Sequence, residues 1–159
     1  MTTAFAYPVE LASTLSDSLR SAKQELVTQW LDRISARVAI STKRVFPTHE
    51  LLNHVPLLIE GIAGYLKRPE RDIDGKAPVV AKAMELGALR HAQGFDAYEL
   101  LKEYEMLGEI IFDFLASTAE QIRDSYPRRD FLACWQRVFQ AIELIRQATM
   151  SHYLRLSAA

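Results

Sequence analysis

The stretch ELGALRHAQGFDAYELLKEY, residues 85–104, decides the fold because it specifies a helix end, a turn and a new helix start. Gly94 suits the left-handed backbone conformation that closes many helices. Asp96 is a strong N-cap, and Glu99 three residues later completes a capping box. We therefore expect one helix to end just before Gly94 and the next to begin at Asp96.

Outward from this turn, apolar residues recur at steps of three and four, which is the helical pattern, and strand-like alternation is nearly absent. Pro56 fits the first turn of a helix, where the amide has no intrahelical partner anyway. Charged residues with Asp-Gly and prolines predict an exposed loop over 67–78. The expected helices cover residues 8–41, 55–66, 78–93, 96–124 and a last segment from about 129, and a short turn of helix over 48–53 is one interpretation of the segment before Pro56. The fold class that follows is all-α, an antiparallel bundle of four long helices plus a short one.

The composition predicts one globular domain over residues 1–159, since this length buries a core without metals or disulfides. The net charge is −1, so no global field attracts nucleic acid or anionic lipid. Apolar runs are too short to span a bilayer, and the N-terminus lacks the pattern of a secretory signal. We expect a cytoplasmic protein with neither a nucleic-acid nor a membrane partner.

Catalytic motifs are missing from the sequence, which has no Gly-rich phosphate loop, no GxSxG elbow and no HExxH pair. The helix after the turn carries several carboxylates, but no His stands three residues after any of them, as a di-iron bundle would need. The single cysteine, Cys134, lies among large apolar residues and predicts a buried thiol. We therefore expect no enzyme activity, no metal site and no bound cofactor.

Two further patterns each have two interpretations. The last helix has a second apolar edge at Leu132, Phe139 and Leu144, which either fills a wide core or faces a partner. Several aromatic residues either line a small-molecule pocket or belong to an ordinary core. The candidate pocket residues are Trp30, Tyr65, Tyr104, Phe114 and Trp135.

The turn and its flanking helices also carry a pattern typical of a known family. The pattern Gly-x-x-Arg-x-x-x-Gly-Phe, followed by an acidic-Tyr pair, is met by Gly87, Arg90, Gly94, Phe95, Glu103 and Tyr104. In this the chain resembles the N-terminal domain of RsbRD-type co-antagonist proteins, which also precedes many bacterial sensor histidine kinases of two-component systems. The resemblance implies a globin-related, non-haem input domain that is usually dimeric and usually stands ahead of an output domain.

From the resemblance we expect a non-catalytic sensory or regulatory domain of a bacterial signalling protein. It would form a homodimer and transmit a signal through its C-terminal helix to a kinase or another output domain. The alternative is a small-molecule sensor, with haem as the sharpest case. Arg90 stands where a haem-binding gas sensor would have His, and His91 is displaced by about 100° around the helix.

Arg90 and Glu103 lie at similar distances from the turn, on helices expected to face each other. Together with the resemblance, this spacing predicts an ion pair at least partly buried between them. Two unrelated surface charges are the other interpretation of the spacing alone. A buried pair of this kind fixes the register of two helices more than it stabilises them.

Overall fold

The computed structural model of the chain describes residues 6–38, 48–68 and 78–158. Throughout these ranges the regular structure is helical, which confirms the all-α prediction. The helices are α1 (Val9–Val38), α2 (Thr48–Lys67), α3 (Pro78–Ala92), α4 (Ala97–Ile122), a short 3₁₀ helix (Arg123–Ser125) and α5 (Arg128–Ala158). In the described ranges no helix is both long and apolar enough to cross a bilayer.

The turn between α3 and α4 has the predicted geometry. Gly94 has a φ of +79°, in the left-handed region. The amide of Glu99 donates to Asp96 Oδ1 at 2.8 Å, and the amide of Asp96 donates to Glu99 Oε1 at 3.3 Å. Both halves of the capping box are therefore present, and Gly94 and Asp96 determine where α3 ends and α4 begins.

The predicted start of the second helix is wrong. The helix α2 begins at Thr48 and contains Pro56 in its interior. An interior proline removes one helical hydrogen bond and costs about 3 kcal/mol. Burial offsets this cost, since Val55, Leu58 and Ile59 are all fully buried and each such side chain contributes about 1.5–3 kcal/mol. Most of the predicted loop, residues 69–77, lies outside the described residues, as do residues 39–41 of the predicted first helix.

The core is one continuous cluster, and α5 lies at its centre. This helix packs against all four other α-helices, and most extensively against α3. The predicted apolar stripe of α1 faces the core, and its fully buried members are Leu11, Leu15, Leu19, Leu26, Trp30 and Ile34. Because α5 is shared by every other helix, a change in its position would be felt throughout the bundle.

The expectation that α3 and α4 face each other is wrong beyond the turn. Instead α3 packs mainly on α5 and α2, while α4 packs mainly on α1 and α5. The two helices diverge from the turn at Gly94 because each buries its apolar side against α5. Long side chains near the turn therefore connect α3 directly with α4.

Candidate functional site: a buried polar cluster at the turn

The ion pair predicted between Arg90 and Glu103 is present and buried. Arg90 Nη2 lies 2.8 Å from Glu103 Oε1, and Arg90 Nε donates to Glu103 Oε2 at 3.0 Å. Their side chains are 0% and 3% exposed, respectively. Arg90 Nη1 also donates to Gln93 Oε1 at 2.7 Å, and its guanidinium lies 4.4 Å from the centroid of the Phe95 ring. This two-point pairing gives the connection between α3 and α4 a defined geometry.

Burial dominates the electrostatics of this pair. It raises the pKa of Glu103 to about 7, although the neighbouring Arg90 cation acts in the opposite direction. Burial also lowers the pKa of Arg90 from its ordinary value. For both groups the loss of water outweighs the attraction between the charges. The pair therefore contributes specificity of helix register and little net stability.

A second buried contact joins α4 to α5 through two hydroxyl groups. Tyr104 Oη lies 2.5 Å from Thr149 Oγ1, which is also 2.9 Å from the carbonyl oxygen of Ala83 and 3.1 Å from that of Ile145. Carbonyl oxygens only accept, so the Thr149 hydroxyl donates to one of them and accepts from Tyr104. Burial raises the pKa of Tyr104, which keeps this donor protonated. One hydroxyl on α5 thus contacts both α3 and α4.

Gly87 is required by the close approach of α3 to α5. A Cβ atom at this position would lie 2.6 Å from the carbonyl oxygen of Thr149, far inside normal contact distance. A few residues further along α5, the Tyr153 hydroxyl donates to the carbonyl oxygen of Phe95 in the turn at 2.5 Å. The ring of His91 meets the Tyr153 ring edge-on, with centroids 5.5 Å apart. Helix α3 and the turn that follows it therefore contact α5 at two successive levels.

Helix α1 reaches the same place through Trp30, whose indole Nε1 donates to the carbonyl oxygen of Glu103 at 2.9 Å. We call Arg90, Glu103, Tyr104, Thr149 and Tyr153 the polar cluster. Arg90, Glu103 and Tyr104 belong to the sequence pattern described above, whereas Thr149 and Tyr153 belong to no motif in the sequence. The only signal for Thr149 is a hydroxyl residue at a core position of a long helix.

The five candidate pocket residues are not gathered in one place. Trp30 and Tyr104 line a narrow gap in the core that has no room for a water molecule. Phe114 lies in a separate open groove between α1 and α4. The guanidinium of Arg137 lies 3.5 Å from the centroid of the Tyr65 ring, and the Trp135 ring packs edge-on against Phe131 at 6.3 Å.

The described residues do not fit a haem group. The gap beside Tyr104 is far too narrow for a macrocycle, and the position that a gas sensor gives to His is taken by Arg90, whose side chain is held by Glu103. His91 contacts the Tyr153 ring at the edge of the same region. Within residues 6–38, 48–68 and 78–158, no three His, Cys, Asp or Glu side chains are grouped to hold a metal ion.

The buried thiol predicted for Cys134 is also observed. Burial raises its pKa to about 11, so that the thiolate is scarce at neutral pH. A buried, protonated thiol is a poor nucleophile. The chemistry of the described residues therefore centres on the polar cluster, which is suited to holding helices in register.

The family model described as RsbT co-antagonist protein rsbRD N-terminal domain matches residues 24–158 of the chain. This range contains α2 to α5, every residue of the polar cluster, and Trp30 on α1. No curated protein and no solved structure matches the chain significantly.

Proposed function

Since the chain belongs to the family of RsbT co-antagonist protein rsbRD N-terminal domains, we propose that it is a sensory or regulatory input domain whose signal passes through α5. Domains of this family are stressosome-related regulatory inputs rather than catalysts. We further propose that the domain acts in the cytoplasm as a homodimer, and that α5 leads to an output domain or a signalling kinase. RsbT is the candidate target, because the family description names its members as RsbT co-antagonist proteins.

The observation that carries this proposal is the Thr149 hydroxyl, which contacts α3 at Ala83 and α4 at Tyr104. Sliding or rotation of α5 would separate Thr149 from both neighbours and Tyr153 from the Phe95 carbonyl. Conversely, a change at the turn would alter the position that α5 prefers. The polar cluster is thus a discrete packing arrangement that a signal can bias.

The size of this bias follows from the contacts. A hydrogen bond contributes about 0.5–1.5 kcal/mol net, so the Tyr104–Thr149 bond and the Tyr153–Phe95 bond are together worth about 1–3 kcal/mol. Coupling free energies of about 1–3 kcal/mol change the population of a state by roughly 5–150-fold. These contacts are therefore strong enough for regulation and weak enough to be reversed by a ligand or partner.

The test replaces Thr149 by valine, which preserves the shape of the side chain and removes the hydroxyl. We expect cells in which the Thr149→Val variant replaces the native protein to differ in RsbT activity under stress from cells that carry the native protein. Thr28→Val is the matched control, because the exposed Thr28 hydroxyl only donates within α1, to the carbonyl of Gln24 at 3.0 Å. Equal RsbT activity in the wild type and the Thr149→Val variant, with both proteins folded, would rule out signalling through this contact.

A further inference from the structure

The helix α5 carries an apolar face that nothing in the described structure covers. Leu132, Phe139 and Leu154 are 63%, 55% and 53% exposed, respectively. At 100° per residue they fall, together with the half-buried Met150, within a sector of about 60°. Leu144 was expected on this edge, but it packs partly against the core because it lies about 120° around the helix from Leu132.

This face has a charged centre between apolar ends. We define the outer α5 stripe as Leu132, Gln136, Phe139, Glu143, Arg146, Met150 and Leu154. Near its middle, Glu143 and Arg146 form an ion pair within the chain, with side chains 27% and 38% exposed. Both side chains are thus accessible to a second molecule, and the stripe combines hydrophobic contact with a specific charge pattern.

The pattern is symmetric about the point between Leu144 and Ile145. Glu143 and Arg146 are equally far from this point, and so are Phe139 and Met150. A second copy of α5 placed antiparallel about a two-fold axis there brings Glu143 opposite Arg146 and Phe139 opposite Met150, each pairing occurring twice. A parallel copy would place Glu143 opposite Glu143 and Arg146 opposite Arg146, which is repulsive.

From this charge complementarity we propose that the outer α5 stripe pairs antiparallel with the same stripe of a second copy of the chain. The inference rests on the proposed function only in taking the domain to be a homodimer, and it adds the surface and the orientation. In the pair, two apolar layers flank four alternating charges, and the exposed leucines cover the outer layers. Around α5 the stripe lies about 100° from Thr149 and about 60° from Tyr153, so the polar cluster and the dimer contact hold neighbouring sides of one helix.

Cysteine cross-linking tests the orientation. Phe139→Cys and Met150→Cys variants are prepared separately, mixed and oxidised mildly. We expect a covalent dimer in the mixture and little in either variant alone, because only the antiparallel pair brings position 139 next to position 150. The wild type is the control for the native thiol, since Cys134 is buried. Light scattering on the wild type measures the oligomeric state independently.

The outcomes separate the two proposals. A dimer by light scattering with the mixed cross-link supports both. A dimer in which each variant cross-links to itself, or in which no variant cross-links, overturns antiparallel pairing and leaves the proposed homodimer standing. A dimer in which a different segment of the second copy covers the stripe overturns the pairing of two stripes. A monomer overturns both this pairing and the proposed homodimer.

Charge reversal provides a second readout that does not depend on new cysteines. Glu143→Arg brings like charges together in the antiparallel pair, and we expect the dimer dissociation constant to rise at least tenfold. Adding Arg146→Glu to the same chain restores the attraction and returns the constant to near the wild-type value. In a parallel pair Glu143→Arg only exchanges one like-charge contact for another, so an unchanged dissociation constant overturns the proposal.

Discussion

Truncation of one partner of the buried ion pair gives the sharpest test of its energetics. Glu103→Ala leaves the Arg90 guanidinium in a site where its side chain is 0% exposed, without its carboxylate. Arginine does not lose its proton in proteins, so the uncompensated charge stays. Breaking a buried pair in this way costs about 3–5 kcal/mol. For a domain of this size, where 1 kcal/mol shifts the melting temperature by about 2–4 °C, the expected decrease is about 6–20 °C.

Arg90→Met is the informative comparison, because it removes the other partner and leaves a group that is able to neutralise itself. At pH 5.5, below its pKa of about 7, Glu103 is mostly protonated, so Arg90→Met leaves a buried neutral acid and no uncompensated charge. We therefore expect Arg90→Met to lose less than Glu103→Ala in urea or thermal unfolding followed by circular dichroism at pH 5.5. Glu105→Ala is the surface control on the same helix, where the pair with Lys102 is exposed and screened by solvent. A greater loss in Arg90→Met than in Glu103→Ala would refute the reasoning.

The remaining predictions concern backbone fit and pH. Gly87→Ala forces a Cβ against the Thr149 carbonyl and should lower the free energy of unfolding, measured by urea titration, by about 1–3 kcal/mol. At Gly108 a Cβ would meet nothing within 4 Å, so Gly108→Ala should raise the free energy of unfolding by about 0.8–1 kcal/mol in the same assay. Gly94→Ala places an L-residue at a φ of +79° and should cost about 1–2 kcal/mol in thermal unfolding. The pKa of Glu103 is higher in the folded chain than its ordinary value, so the folded state holds this proton more tightly. The contribution of protonated Glu103 to stability is full below about pH 4.5 and is lost as the pH rises through about 7. Stability measured against pH should therefore fall more over this interval in the wild type than in Glu103→Gln, and parallel curves would contradict the assignment.

Local rules in the sequence were sufficient for the turn, whereas the ion pair was predicted from spacing together with the family resemblance. The Asp96 capping box and Gly94 are short-range signals, because both depend on residues within one helical turn. Once the turn is placed, the spacing leaves either a buried Arg90–Glu103 pair or two surface charges, and the resemblance favours the pair. These features needed no knowledge of how α3 and α4 pack elsewhere.

Tertiary packing decided the features that the sequence did not predict. Local rules predict a helix start at Pro56. Burial of the residues around Pro56 explains why the helix continues through it. The role of Thr149 depends on three helices meeting at one hydroxyl, which has no signature in the periodicity of α5. The divergence of α3 from α4 is likewise a consequence of both packing on α5.

Hydrogen exchange of α5 amides in a Tyr104→Phe variant tests the central claim, that the polar cluster holds α5 in place. The substitution removes one hydroxyl donor and leaves Thr149 with its carbonyl partners, at a cost of about 1 kcal/mol. We predict that exchange over residues 145–153 becomes about fivefold faster, since about 1.4 kcal/mol corresponds to tenfold. Tyr98→Phe, at an exposed position of the same helix, should leave these amides unchanged. Unchanged protection of residues 145–153 in Tyr104→Phe, or the same acceleration in both variants, would contradict the account.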